Sequence, residues 1–359
     1  MASRTRVLLD GTPLLGARTG IGRYTGALAE ELASMPEVDT RVVAFTLRGW
    51  RKLRKVLPHG TRSRGMPVSA RLLRQCWLRA PFPPIELFAG FTDVVHGTNF
   101  VLPPAIRAAG VLTIHDLAFL DSPSDLPPSD EQLPALVASS AARADVVCTP
   151  TQAVADVVVD KFGLAEDKIM VTPLGIDLAW FTARPPSETM RRRIGLPKEY
   201  LLFVGAAGPR KALDWLLKAH ANTPDLPPLV LAGPGHIGVG DTVRSVGYLS
   251  DVDLRSVVAG ASALVLPSRD EGFGLPVLEA LACDVPVVCS DLPALREVAG
   301  GHASLVPFGD VEAMGATLTE ALDATADAPT LTARRTYAAG FTWRRTAELT
   351  VEAYRRAMA

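Results

Sequence analysis

Short apolar runs alternate with helix-length amphipathic segments along most of the chain. This order is typical of parallel α/β domains, because a crossover must return the chain before the next parallel strand can pair. One series of predicted strands occupies residues 6–10, 41–45, 93–96, 111–115, 145–150 and 168–173. A second series occupies residues 200–205, 229–233, 263–267 and 286–290. The pattern predicts an α/β fold with two doubly wound parallel sheets.

The segment between the two series favours a domain boundary. A chain of 359 residues is long enough for two domains. Residues 174–195 are rich in turn formers and short of periodicity, so we place the boundary there. The predicted domains are 1–175 and 176–340, followed by an amphipathic helix at 341–359 that Thr342 caps. If the two domains face one another, the strand C-termini, and hence the ligands, lie in the cleft between them.

Composition and charge narrow the class of protein. The 48% apolar and 21% charged content is ordinary for a globular protein, and a net charge of −1 argues against general polyanion binding. The N-terminus reaches a turn after a few apolar residues, and no apolar stretch approaches the length of a membrane span. We therefore expect a cytoplasmic protein, soluble or peripheral, without a signal peptide. The cysteines lack metal-binding spacing and suit a reducing interior: Cys76, Cys148, Cys283 and Cys289.

Residues 40–85 contain eleven lysines and arginines and no acid. Apolar residues, among them Trp50, Leu72 and Trp77, interleave with these cations. A basic amphipathic segment of this kind can lie on an anionic bilayer or meet a lipid-linked acceptor. The alternative is a solvated helical face with ordinary core contacts. Nucleic acid is disfavoured, because the rest of the chain is neutral and shows no nucleic-acid module.

The stretch from Glu271 to Glu279 places two carboxylates around a glycine-containing turn. Residues 261–266 read as a buried strand, Pro276 suits a first helical position, and Glu279 then falls in the first helical turn. The N–H groups near Gly274 and Leu275 would form an anion site suited to phosphate. The plainer alternative makes Glu279 a partner of the helix dipole and Glu271 an exposed loop residue.

The region PSRDEGFGLPVLEALACDVPVVCSDLPALREV around these glutamates resembles the signature of the retaining family 4 glycosyltransferases, which have the GT-B fold. Further motifs follow in family order over most of the chain: TGIGRYT (19–25), TIHDLAF (113–119), TPLGID (172–177), PRKALDWLLKA (209–219), LVLAGPG (229–235), GYLSDVDL (247–254) and FTWRRTAE (341–348). The resemblance implies two Rossmann-like domains facing across a cleft, with the C-terminal helix crossing back to the N-terminal domain. It also implies a nucleotide-sugar donor.

The resemblance further implies roles for residues of this chain. Glu271 would hold hydroxyls of the donor sugar, and Glu279 would bind the ribose. The sugar or diphosphate would meet the backbone N–H groups of Phe273, Gly274 and Leu275, the glycine loop Gly20 and Gly22, and the cations Arg210 and Lys211. Relatives place another arginine directly after the strand glycine, where this chain has residues 205–207 (GAA), and Arg210 would supply that second cation.

Polar residues at two predicted strand ends complete the set of candidates. The resemblance places His115 beside the donor sugar, although a histidine at a strand end is more often structural. His96, Asn99 and Asp116 are candidate acceptor contacts. Asp251 and Asp253 spell the DxD metal motif of another glycosyltransferase architecture, but Ser250 before them indicates a helix capping box instead. We expect no catalytic metal and no cofactor.

The resulting hypothesis is a retaining, metal-independent hexosyltransferase of polysaccharide biosynthesis. It would move mannose from GDP-mannose to a glycan or lipid-linked glycan acceptor by front-face displacement. Alternatives with the same fold are a phosphorylase, a sugar-nucleotide epimerase or a non-catalytic nucleotide-binding protein. A nicotinamide oxidoreductase is disfavoured, because no strand–GxGxxG–helix with a following acid is present.

Overall fold

The computed structural model describes residues 4–16, 19–47, 50–64, 67–121, 130–236, 242–324 and 327–359. The chain divides into two compact units. The first comprises Met1–Gly175 with Thr342–Ala359, and the second comprises Ile176–Phe341. Among the described helices, none is both long and apolar enough to cross a bilayer.

The sheet of the first unit has seven described strands in the order β3-β2-β1-β4-β5-β6-β7, and every pairing is parallel. The strands are β1 (Thr5–Asp10), β2 (Val38–Val43), β3 (Arg62–Ser63), β4 (Val94–Gly97), β5 (Ala109–Thr113), β6 (Val146–Thr149) and β7 (Ile169–Val171). The helices before the domain boundary are α1 (Gly20–Ser34), α2 (Trp50–Val56), α3 (Ala70–Arg79), α4 (Glu86–Ala89), α5 (Ala118–Asp121), α6 (Leu133–Arg143) and α7 (Gln152–Phe162). The strand order reverses between β1 and β4, and ligands of such sheets bind beyond the strand ends at that point.

The sheet of the second unit has six described strands in the order β10-β9-β8-β11-β12-β13, again all parallel. The strands are β8 (Leu201–Val204), β9 (Leu229–Ala232), β10 (Val243–Gly247), β11 (Ala263–Leu266), β12 (Val287–Ser290) and β13 (Ser304–Val306). The helices are α8 (Glu188–Ile194), α9 (Leu213–Asn222), α10 (Asp251–Ala259), α11 (Leu275–Ala282), α12 (Pro293–Ala299), α13 (Val311–Asp323) and α14 (Ala328–Ala339). Here the order reverses between β8 and β11. The predicted α/β class with two doubly wound sheets is confirmed.

The C-terminal helix α15 (Trp343–Ala357) belongs to the first unit, as the resemblance implied. Thr342 caps it by accepting a hydrogen bond from the Arg345 backbone N–H at 3.1 Å. The Thr346 hydroxyl donates to the carbonyl oxygen of Pro173 at 2.6 Å, and the side chain of Tyr354 is buried. The apolar face of α15 packs on α1, β5 and β6.

Candidate functional site

Glu271 lies in the second unit, in the loop between β11 and α11, and 8% of its side chain is exposed. Two cations and one hydroxyl contact its carboxylate. The Lys211 ammonium and the Ser268 hydroxyl both donate to Oε1, the latter at 2.6 Å. Arg210 Nη1 lies 3.4 Å from Oε2. The structure therefore brings together Glu271, Lys211 and Arg210 at the carboxyl edge of β8 and β11.

The charge state of Glu271 follows from these contacts. Burial alone would raise the pKa of the carboxyl group, because the charged form is desolvated. The positive charges of Lys211 and Arg210, with the hydrogen bonds from Lys211 and Ser268, outweigh burial and lower the pKa of Glu271 below its usual value. Glu271 is consequently ionised at neutral pH and offers oxygen acceptors to a ligand.

The loop after Glu271 depends on a glycine. Gly274 has φ 90° and ψ 53°, a left-handed conformation that favours glycine. A Cβ atom at this position would lie 2.5 Å from Leu295 Cδ2. The conformation of Gly274 starts α11 directly behind the loop and leaves the first N–H groups of the helix without a side-chain cap. Such N–H groups are suited to an anion.

Two details of the predicted α11 helix are wrong. It begins at Leu275, so Pro276 is its second residue and Glu279 lies in the second turn. The helix starts one residue earlier than predicted because Gly274 adopts a left-handed conformation, in which a residue with a side chain would be strained. Glu279 is buried, with 1% of its surface exposed. The carboxylate that we assign to the ribose is therefore buried, and this assignment stays a prediction. Phe273 and Leu275 are also buried, on either side of Gly274.

Arg210 and Lys211 lie in a short 3-10 turn, Pro209–Lys211, between β8 and α9. Ala212, with φ 43° and ψ 41°, separates this turn from α9, so the basic pair lies in the connection that leads from β8 into the helix. The backbone carbonyl of Arg210 accepts from the Arg269 N–H at 2.8 Å. This contact ties the turn to the loop that carries Glu271.

Gly20 and Gly22 were expected in a loop before the first helix, and that expectation is wrong. The α1 helix begins at Gly20, because Thr19 caps it by accepting from the Gly22 N–H at 3.3 Å. Both glycines thus belong to the first turn of α1. The first N–H groups of a helix are suited to an anion, so a phosphate-binding role for the two glycines stays a prediction.

His115 follows β5 in the first unit and is largely buried. Its Nε2 lies 2.9 Å from the carbonyl oxygen of Thr98, which can only accept, so Nε2 carries the proton. The ring of Tyr24 packs edge-on against it at 4.8 Å between centroids. Burial lowers the pKa of His115, although the Thr98 bond and Asp116 oppose this change. The ring is therefore neutral at neutral pH and has Nδ1 as an acceptor.

The three acceptor candidates lie in different environments. His96 is wholly buried, and its ring nitrogens hydrogen-bond Tyr354 at 2.8 Å and Thr113 at 2.7 Å. Burial, with the nearby His115, lowers the pKa of His96 to about 3. This geometry favours a structural role for His96. Asn99 is half-buried, and its Oδ1 has no hydrogen-bond partner among the described residues. Asp116 is also half-buried.

Two polar residues near the strand ends escaped the sequence reasoning. Asp10 ends β1 and accepts from the Thr12 N–H at 2.9 Å and the Thr12 hydroxyl at 2.6 Å, while burial raises its pKa. The acid directly before Gly11 at the end of a strand was the available signal. Ser268 is the second, and its position three residues before Glu271 on a buried strand end was the signal there.

Within the basic 40–85 segment, Leu53 of α2 and Leu73 and Trp77 of α3 are buried in the first unit. The exposed lysines and arginines of these two helices are Arg51, Lys52, Arg54, Lys55, Arg71 and Arg79, which we call the basic surface. Leu72, 63% exposed, follows Arg71 on α3. Acids outside the segment neutralise part of its charge: Asp39 pairs with Arg41 at 2.7 Å and Asp130 lies 4.0 Å from Arg74. Arg48 lies outside the described residues.

Asp251 and Asp253 occupy the first turn of α10, as the capping interpretation predicted. The Ser250 hydroxyl accepts from the Asp253 N–H at 3.2 Å, and the Asp253 carboxylate pairs with Arg193 at 2.8 Å. In the described part of the chain, no three His, Cys, Asp or Glu side chains are grouped so as to share a metal ion.

Comparison with known proteins covers both units. Residues 19–175 match the family model described as a glycosyl transferase 4-like domain, and residues 198–324 match the one described as glycosyl transferases group 1. The chain is 28% identical to the O-antigen chain mannosyltransferase B of Escherichia coli over 383 aligned residues, covering 98% of this chain and 99% of that protein. It is 32% identical to a D-inositol 3-phosphate glycosyltransferase of Stackebrandtia nassauensis over 305 residues, covering 74% and 68%. The crystal structure of Anabaena HepE in complex with UDP-glucose matches with a TM-score of 0.71 at 16% identity, covering 97% and 98%.

Proposed function

The chain belongs to the family 4, group 1 glycosyltransferases, and from this premise we propose that it transfers mannose from GDP-mannose with retention of configuration. The observation that carries the proposal is the ionised Glu271 held between Lys211 and Arg210 at a strand-order reversal of the second unit. A buried carboxylate can accept hydrogen bonds from hydroxyl groups, and the two cations beside it can bind a diphosphate. A sugar nucleotide carries both groups.

The donor diphosphate would be bound by positive charge from the protein. Lys211 and Arg210 would neutralise the leaving group, and the first N–H groups of α11 behind Gly274 would add partial positive charge. We therefore propose a reaction that needs neither a metal ion nor a cofactor. Glu271 would accept hydrogen bonds from the donor sugar hydroxyls, and Glu279 would bind the ribose.

The proposed reaction is a front-face displacement. The bond between the anomeric carbon and the phosphate oxygen breaks, and a bond to the acceptor oxygen forms on the same face of the sugar. The departing phosphate takes the acceptor proton, which balances the step. Such a transition state resembles an oxocarbenium ion, so charge near the anomeric carbon matters. In the first unit, we assign His115 to the donor sugar, because its neutral ring presents Nδ1 as an acceptor.

The comparisons support the donor and acceptor to different degrees. The similarity to an O-antigen chain mannosyltransferase of E. coli supports mannose as the transferred sugar, and the complex of HepE with UDP-glucose supports a nucleotide-sugar donor. For the acceptor we propose a lipid-linked glycan that Asn99 and Asp116 contact. The Oδ1 of Asn99, which has no hydrogen-bond partner among the described residues, can accept from a hydroxyl group of the acceptor. The basic surface on α2 and α3 would hold the enzyme at the inner face of an anionic membrane.

A thermal-shift panel tests the proposed donor. Full-length protein is heated with GDP-mannose, UDP-glucose or dTDP-rhamnose, because a ligand that binds only the folded state raises Tm. We expect GDP-mannose to give the largest increase. A larger increase with either other donor would reject GDP-mannose, and no increase with any of them would reject the nucleotide-sugar function. Release of the nucleoside diphosphate only in the presence of acceptor would distinguish a transferase from an epimerase or phosphorylase.

A further inference from the structure

Ser268 lies just beyond the end of β11 and is completely buried. Its hydroxyl donates to Glu271 Oε1 at 2.6 Å, and Lys211 contacts the same oxygen. Glu271 Oε2, in contrast, has a longer contact of 3.4 Å to Arg210 within the described part of the chain. The carboxylate is thus fixed at one oxygen, and the other oxygen is less constrained.

We propose that Ser268 is a positioning residue that holds Oε1 of Glu271 and so presents Oε2 to the donor sugar. This role rests on the proposed function of Glu271. Ser268 acts through the carboxylate, because its one hydroxyl hydrogen is already donated to Glu271 Oε1. A carboxylate oriented by a fixed hydrogen bond needs no reorganisation when the hydroxyl of a sugar arrives.

The three contacts of Glu271 differ in what happens when a donor binds. Lys211 and Arg210 are partly exposed, and a diphosphate attracts both of them. As they turn towards phosphate, their hold on Glu271 weakens. The Ser268 hydroxyl is neutral and donates its hydrogen to Glu271, so a phosphate attracts it much less than it attracts the two cations. Of the described side chains that hydrogen-bond the carboxylate, Ser268 is therefore the one whose contact persists.

The neighbouring strand provides a matched control. Ser290 ends β12 in the same sheet and is also completely buried. Its hydroxyl donates to the backbone carbonyl of Leu266 at 3.4 Å rather than to a carboxylate. Ser268→Ala and Ser290→Ala remove the same atom from equally buried positions. They differ in whether Glu271 loses a partner.

The hydrogen bond from Ser268 to Glu271 also predicts how the pH dependence of activity changes when the hydroxyl is removed. A donor to the ionised carboxylate lowers the pKa of Glu271, and Ser268 is one of the groups that lower it. Removal of the hydroxyl raises this pKa, so protonation of Glu271 begins at a higher pH. The acid limb of kcat/KM, which reports groups of the free enzyme, then moves to higher pH. Loss of packing alone would leave that limb in place.

The first experiment measures kcat, the donor KM and the pH profile of full-length Ser268→Ala, Ser268→Thr and Ser290→Ala with GDP-mannose. We expect Ser268→Ala to lower kcat by about tenfold to a hundredfold, with a smaller change in KM and an acid limb at higher pH. Ser268→Thr keeps the hydroxyl and the acid limb, and Ser290→Ala matches the unchanged enzyme. Unchanged kcat and acid limb in Ser268→Ala would overturn the proposal.

The second experiment needs no turnover. Tm is measured for Ser268→Ala and Ser290→Ala, each alone and combined with Glu271→Ala. We expect Ser268→Ala to lower Tm when Glu271 is present but not in the Glu271→Ala background. Ser290→Ala should lower Tm equally in both backgrounds. Equal effects of Ser268→Ala in both backgrounds would refute the contact as its mode of action. If the unchanged enzyme does not turn over any nucleotide sugar, the proposed function fails and the positioning role fails with it.

Discussion

Glu271 keeps its charge although its side chain is almost wholly buried. An isolated buried carboxylate would take up a proton instead of paying the cost of desolvation. Lys211 and Arg210 reverse that balance, and the pKa of Glu271 is lowered. As a consequence, both cations of the proposed donor site already contact Glu271 before the donor binds. At the residue scale, a diphosphate must therefore compete with Glu271 for Lys211 and Arg210.

Replacement of Lys211 tests this arrangement. Lys211→Met removes one cation from both Glu271 and the diphosphate, and we expect GDP to bind about tenfold to a hundredfold more weakly, since a charge-assisted hydrogen bond contributes about 1.5–3 kcal/mol. The pKa of Glu271 should rise, so the acid limb of kcat/KM should move to higher pH. Isothermal titration with GDP and a pH–rate profile measure the two effects.

Lys218→Met is the matched control for that variant. Lys218 lies on the exposed side of α9, and its replacement removes the same charge from the second unit. GDP affinity and the acid limb should stay unchanged in this variant. Equal weakening of GDP binding by both substitutions would mean that net charge, and not the contact of Lys211, attracts the nucleotide.

At the scale of elements, the sequence predicted the strands well because each central strand is a continuous apolar run between polar segments. Leu229–Ala232 and Ala263–Leu266 are examples, and all their residues are buried. The two-residue β3 strand has no such run and was missed, as were the partly buried edge strands β10 and β13. The start of α11 was misplaced by one residue, since the sequence alone does not show that Gly274 takes a left-handed conformation directly before the helix.

The site could be predicted only in part, for a similar reason. The motifs identified Glu271, Lys211 and Arg210 as members of one site. The contact of Lys211 with Glu271 joins residues 60 positions apart, and no local periodicity reports such a pairing. The roles of His96 and Ser268 also depend on burial. Histidine and serine at strand ends look alike in the sequence whether they face a ligand or the core.

The turn at Gly274 can be tested by adding one methyl group. Gly274→Ala places a side chain in a left-handed conformation, which costs about 1–2 kcal/mol, and brings its Cβ against Leu295. We expect a lower free energy of unfolding in urea and a lower turnover, because the loop that carries Glu271 must shift. Gly26→Ala, inside α1, has ordinary space for the methyl group and should be neutral or stabilising. A Gly274→Ala protein as stable and active as the unchanged one would contradict the assigned conformation.

At the scale of the whole molecule, the charge of the chain is nearly balanced, yet the first unit carries its cations unevenly. The six residues of the basic surface lie on α2 and α3, whose other sides pack into the core. Each cation near an anionic leaflet contributes about 1 kcal/mol. Together with the exposed Leu72, they suit a membrane surface.

Vesicle binding tests this proposal. Replacing Lys52, Arg54 and Lys55 by glutamine should weaken binding to phosphatidylglycerol vesicles by about a hundredfold, since three contributions of about 1 kcal/mol are lost. Binding of the unchanged protein should fall as salt rises. A control variant replaces three exposed cations of the second unit, Arg184, Lys198 and Lys218, and so has the same net charge. Equal loss in both variants, or binding that salt does not affect, would reject a specific membrane surface.

The most direct test of the donor site compares Glu271→Gln with the unchanged enzyme in two measurements on one preparation. Glu271→Gln frees Lys211 and Arg210 for the diphosphate, so GDP should bind as tightly as before or more tightly. Acceptor-dependent release of GDP from GDP-mannose should fall by about a thousandfold, because the group that holds the sugar hydroxyls has lost its charge. Glu271→Gln that retains full turnover would contradict the account, as would Glu271→Gln that no longer binds GDP.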